Sequence, residues 1–264
     1  MGNLIIAGSF VDYPTANITV RSENASYPKE NVKDYWYLKK QFRAADYTKN
    51  DWLWKVQLSA QTDIAAILIN DTNIDKIYID GNTSDSWPNS PTNFTISKDP
   101  RVQRYKAWCA LTSFDYSWIR IGVQSGAADP LDGGSAWRIG TIVILENDAA
   151  KTITLSQNIT YPLNYGAMQG FQDTPKLNKS KERIGFSQDL VWFADVVFGS
   201  RDRASYESDF WALNALDIAQ PVVVYENEGS TQYAYLCTRD GTFQAEVTQY
   251  NIINAKVIRF TELV

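Results

Sequence analysis

Apolar and polar positions alternate with a period of two through much of this chain, the pattern of strands with one buried face. Between residues 31 and 80 the order is clearest. A polar turn, Asn31-Val-Lys-Asp, leads to the aromatic and arginine pair in Gln41-Phe-Arg-Ala, and then to an alternating strand over 52–58. A nearly all-apolar run over 64–70 reads as a buried strand, and Asn73 opens a further alternating strand over 74–80. Shorter strands are predicted over 94–97, 108–111, 118–123 and 136–145. Residues 80–91 form a long polar loop that carries Trp87, and Asp129-Pro-Leu-Asp-Gly-Gly is a turn. Helical periodicity is nearly absent here, so residues 1–148 are expected to fold as an antiparallel jelly-roll β-sandwich.

Glu146-Asn-Asp-Ala-Ala-Lys is a polar junction, and the pattern changes after it. Residues 153–165 alternate weakly, and 172–181 are polar and read as a loop or arm. An apolar strand is expected over 190–198. Residues 205–218 are expected to form a helix, with Ser205 as cap, Glu207 and Asp209 in the first turn, and Tyr206, Phe210 and Leu213 on one face. Trp211 on this helix reads as core. A hairpin over 222–225 and 233–236 and strands over 243–250 and 257–263 complete a β-rich second domain, 149–264, with one helix.

A length of 264 residues suits two domains, and a net charge of −5 argues against a phosphate-binding surface. No nucleic-acid partner is expected. The first nine residues do not read as a signal peptide, and no segment approaches the length of a membrane span, so no membrane insertion is expected. Seven Asn-x-Ser/Thr triplets, among them Asn17, Asn24, Asn93 and Asn158, then reflect a chain rich in Asn, Ser and Thr. Cys109 and Cys237 stand far apart without metal-ligand spacing, and read as two buried small hydrophobes; one disulfide between the halves is the alternative.

The chain has no histidine, which removes Ser-His-Asp and Cys-His catalysis and His-based zinc sites. Phosphate cradles and nucleophile elbows are absent from the sequence. A carboxylate pair meeting from two loops is the remaining route to catalysis, and no catalytic, cofactor-binding or metal-binding residue is assigned. Asn70-Asp-Thr-Asn-Ile-Asp and Asp129-Pro-Leu-Asp-Gly-Gly could offer oxygens to a structural Ca²⁺, but lack the loop spacing that ion uses and fit ordinary turns. The candidate ligand or partner contacts are the aromatic run Tyr35, Trp36 and Tyr37, followed by Lys39 and Lys40, together with Trp87 in its polar loop. For Trp36 the competing reading is a plug at the end of the sandwich.

The order of elements over residues 25–145 resembles galactose-binding-like, discoidin-type jelly rolls. Within it, Trp137-Arg-Ile-Gly-Thr-Ile-Val-Ile resembles the closing strand of tail proteins of bacterial viruses that carry this fold. The strand, helix, hairpin and final strand over 190–264 resemble the ends of small siphophage tail proteins, whose fold is similar to the tail tube. These resemblances imply a structural minor tail protein of a phage tail tip or baseplate, present in the virion and made in the bacterial cytoplasm. Its expected partners are copies of itself in a ring, other tail proteins and a host-surface glycan. The alternative is a carbohydrate-binding module without catalysis.

Overall fold

The computed structural model describes residues 3–35, 40–87, 90–155, 164–170, 189–196, 201–202, 220–227, 230–240, 245–249, 252–255 and 258–263. The strands are β1 (Asn3–Ala7), β2 (Ile18–Val20), β3 (Phe42–Arg43), β4 (Asp51–Thr72), β5 (Lys76–Asn82), β6 (Thr92–Thr95), β7 (Ser97–Asp99), β8 (Arg104–Ala110), β9 (Asp115–Val123) and β10 (Arg138–Glu146). After them come β11 (Thr152–Leu155), β12 (Asn164–Gly170), β13 (Asp189–Val196), β14 (Arg201–Asp202), β15 (Val222–Asn227), β16 (Ala234–Asp240), β17 (Ala245–Gln249), β18 (Ile252–Ala255) and β19 (Ile258–Glu262). The fold is mostly β, all pairings are antiparallel, and the described helical segments are short 3-10 turns.

Strand β4, 22 residues long, serves two layers. Up to Asp63 it pairs with β2 and β9, and the layer continues through β5 to β6. From Ile64 it pairs with β10 and β8, which lead to β3 and β7. Alternation turns Val56, Ile77, Ile79, Ile119 and Ile121 of the first layer toward Ile67, Ile69, Cys109, Ile142 and Ile144 of the second, forming one apolar core. This is the expected β-sandwich.

The other side of the second layer is also covered. Leu68, Trp108, Val143 and Leu145 pack against Val223, Tyr225, Ala234 and Leu236 of a seven-stranded sheet, ordered β11-β1-β15-β16-β19-β13-β12. The division expected at residue 148 assigns residues 3–7 to the sandwich, whereas β1 pairs with β11 and β15 in this second sheet. Its composition explains the placement. Leu4 and Ile6 enter one core cluster and Ala7 the other, so both faces of the strand are apolar and suit a sheet buried on both sides.

One more row extends this seam, and it is polar. Thr141, Asn70 and Lys106 lie side by side across β10, β4 and β8, all buried. Lys106 Nζ sits 3.1 Å from Asp99 and 3.4 Å from Glu262, and 3.5 Å above the centre of the Tyr235 ring. Arg104 donates to Glu262 at 2.6 Å and Arg101 to Glu226 at 2.8 Å. Burial alone would drive the Lys106 amine toward neutrality, and the two carboxylates oppose that.

Cys109 and Cys237 are both buried and free, in different core clusters, and burial raises both thiols well above their usual range. The hairpin β15–β16 forms as expected. The expected helix over 205–218, Trp211 on it and the expected loop over 172–181 lie outside the described residues. Among the described residues, no helix is long and apolar enough to cross a membrane.

Candidate functional site

Among the described residues, the first sandwich layer has one side in the core and the other open. Strand alternation assigns the open side: Trp118 and Arg120 on β9 stand opposite Ile119 and Ile121, and Tyr78 and Asp80 on β5 stand opposite Ile77 and Ile79. A register shift between Trp52 and Trp54 adds β4 to this side. The extra residue resets the alternation, so that Trp52 and Lys55 share the open face while Trp54 and Val56 enter the core.

These side chains are linked in one continuous layer. Lys55 Nζ lies 5.2 Å from the centre of the Trp52 ring and 5.7 Å from that of Trp118. The same ammonium pairs with Asp85 at 2.7 Å, and Asp85 accepts a hydrogen bond from Trp87 Nε1 at 2.8 Å. The Arg120 guanidinium lies 4.5 Å from the Trp87 ring centre and 5.6 Å from that of Tyr78, and donates to the buried Asp80 at 2.8 Å. Trp52, Tyr78, Trp87 and Trp118 are all partly exposed.

Two local features hold the layer in place. Tyr78 is paired with Gly122 across the strands, and a Cβ at that glycine would overlap the Tyr78 ring. The bare backbone therefore gives the ring its resting place. Ser117 Oγ donates to the carbonyl of Thr83 at 3.0 Å, and Asn82 Nδ2 to that of Ser86, which tie the loop carrying Asp85 and Trp87 to the sheet end. The Lys55 hydrogen bond holds the Asp85 carboxyl below its usual range, while burial raises the Tyr78 hydroxyl.

Beside the rings is an open cleft of about 340 Å³, lined by Asn50, Tyr78, Asn93, Arg120, Gln124 and Ser125, with Pro91 at its side. Asn50 has φ 56°, a left-handed turn conformation that Asn tolerates, immediately before β4. Gln124 donates to the carbonyls of Ile77 and Phe94, which leaves Oε1 as the remaining polar atom of its amide.

Of the residues singled out in the sequence, Trp87 belongs to this face. Tyr35 does not. It is partly buried, edge-on to Phe10 with ring centres 5.6 Å apart, and packs against the seam cluster. Trp36, Tyr37 and Lys39 lie outside the described residues. Trp52, Lys55, Trp118 and Arg120 were not singled out, although the Trp118-Ile-Arg-Ile alternation already separates a polar and aromatic side from an apolar one.

The two Asp-containing turns weighed as calcium ligands do meet, around a cation of the chain itself. Arg138 reaches both Asp71 at 3.2 Å and Asp132 at 3.1 Å, and Asn73 donates to Asp132 and accepts from the Arg138 backbone. Asp129 pairs with Lys49. Among the described residues, no group of three or more Asp, Glu or Cys is arranged to hold a metal ion.

No family model matches this chain, and no curated protein matches it. Solved structures match it over about half its length. Chitosan-binding module 1 of a chitosanase/glucanase from Paenibacillus sp. IK-5 is 12% identical, with 52% of this chain and 97% of that chain covered and a TM-score of 0.37. CBM32-3 from a family 31 glycoside hydrolase of Clostridium perfringens is 11% identical, with 52% and 96% covered and a TM-score of 0.37. A family 89 glycoside hydrolase from Clostridium perfringens is 14% identical with a TM-score of 0.36; 49% of this chain matches 14% of that enzyme. At such TM-scores none of these likenesses bears on what this chain binds.

Proposed function

We propose that this chain is a non-catalytic binding protein whose open sandwich face takes up a carbohydrate. The observation that carries the reading is the linked layer of Trp52, Trp118, Trp87 and Tyr78, held by Lys55 and Arg120 beside a cleft lined by amides and hydroxyls. A sugar ring has an apolar C–H face and a rim of hydroxyls. Aromatic faces match the first, and Asn50, Asn93, Gln124 and Ser125 can exchange hydrogen bonds with the second. The rings are fixed by ion pairs and by the Gly122 backbone before any ligand arrives, so little ordering is left for binding to accomplish.

The absence of catalysis is part of the proposal. The buried carboxylates Asp80, Asp99, Glu226 and Glu262 each face a lysine or arginine, an arrangement that leaves them engaged within the fold. The tail-tip and ring-forming reading stands on sequence resemblance alone. Screening the full chain on an oligosaccharide array tests the proposal: bound sugars should be lost with Trp118→Ala and Trp87→Ala, with circular dichroism unchanged. Retention of binding in both variants would move the site elsewhere.

A further inference from the structure

The charges that touch the rings cancel in pairs, while Lys76, on the same side of β5, donates to the carbonyl of Gly126 at 2.9 Å. Lys55 is matched by Asp85 at 2.7 Å and Arg120 by Asp80 at 2.8 Å. Asp51, the neighbouring acid at the start of β4, is matched by Arg21 at 2.7 Å. What the cleft adds is neutral: Asn50, Asn93, Gln124, Ser125 and the Tyr78 hydroxyl. Resting on the carbohydrate reading of this face, we infer that it selects neutral sugars and rejects both uronate-bearing and amine-bearing ones.

The physical reason is that both cations beside the rings already hold a carboxylate. A sugar carboxylate approaching Lys55 or Arg120 meets Asp85 or Asp80 in contact with that cation. It must either displace a short ion pair or lie beside a like charge. A sugar ammonium faces the mirror problem, since Asp85 and Asp80 are held by Lys55 and Arg120. Neutral hydroxyls avoid both, and can accept from or donate to groups left over by the pairs. Asp80 is buried, with its exposure reduced to 2%, so its pair with Arg120 is poorly screened and hard to exchange.

Calorimetric titration of the full chain at about 20 and 500 mM NaCl distinguishes the outcomes. The probes are neutral pentamers (maltopentaose, cellopentaose, N-acetylchitopentaose), pentagalacturonate and the fully deacetylated glucosamine pentamer. At least one neutral pentamer should bind with an affinity that changes less than about twofold across the salt range, since no net ionic contact forms. Both charged pentamers should bind at least ~10-fold more weakly, the equivalent of one lost favourable contact. Asp85→Asn should improve pentagalacturonate binding in low salt, and Lys55→Gln should improve binding of the deacetylated pentamer. Tighter, salt-sensitive binding of a charged pentamer to the unmodified chain would overturn the inference and leave the carbohydrate reading standing. No binding by any pentamer, neutral or charged, would remove the reading and the inference together.

Discussion

Lys106 and Glu262 stand 156 positions apart in the chain and meet at 3.4 Å, both shut off from solvent. Glu262 also accepts from Arg104 and from the backbone N–H of Trp192, and Lys106 also reaches Asp99. One carboxylate thus serves three donors at the seam between the sandwich and the seven-stranded sheet. Truncating it leaves the buried Lys106 ammonium with one acid fewer beside it, Asp99 remaining at 3.1 Å. Glu262→Ala should lower unfolding stability by roughly 3–5 kcal/mol in urea titration. Adding Lys106→Met should recover part of that loss, because the stranded ammonium is then gone.

The same seam sets how far the two halves can be separated. A fragment ending at residue 148 would lose β11, β15 and β16, and with them the cover over Leu68, Trp108, Val143 and Leu145. It is expected to bind a hydrophobic dye and to self-associate, whereas the full chain stays dispersed. A monomeric, dye-silent fragment would show that the sandwich closes without its neighbour.

Much of the sandwich was legible in the sequence, because one-sided burial writes itself as alternation: residues 74–80 and 118–123 place their apolar members without any knowledge of neighbours. What alternation leaves open is which strand lies next to which. Asp80 and Arg120 are 40 positions apart, and only the β5–β9 register joins them. The open face therefore could not be assembled from Trp87 alone. Lys106 is a second case, since a lysine in an alternating strand reads as solvent-facing and its acidic partners lie in β7 and β19. The N-terminal strand is a third: its run of four apolar residues marks a buried strand, but nothing local says in which sheet.

Acid should release the loop that carries Trp87. The Asp85 carboxyl is held below its ordinary value of 3.8, chiefly by the Lys55 hydrogen bond. A carboxyl with a depressed folded-state value supports the fold fully above its unfolded-state value, and that support is lost as pH falls through the depressed value. The indole N–H resonance of Trp87, assigned with Trp87→Phe, should therefore shift with a midpoint below 3.8. In Lys55→Gln the midpoint should move upward.

Gly122→Ala should disturb the face more than the fold. The added methyl overlaps the outer end of the Tyr78 ring, which can swing away, so the core residues Ile119 and Ile121 need not move. A stability loss of about 1–3 kcal/mol is expected in thermal unfolding, typical of a forced side-chain shift. Binding should weaken by a larger factor than for a substitution in the exposed turn before β9, at its end remote from Gln124, such as Thr112→Ala.

On this reading the open face of the first sandwich layer, and no other surface, receives the sugar. The most direct measurement is a titration of the nitrogen-labelled full chain with the best-binding neutral oligosaccharide, following the tryptophan indole signals. The indoles of Trp52, Trp87 and Trp118 should shift progressively with ligand, while those of the buried Trp54, Trp137 and Trp192 stay fixed. Movement of the buried set with the face tryptophans unmoved would contradict the account.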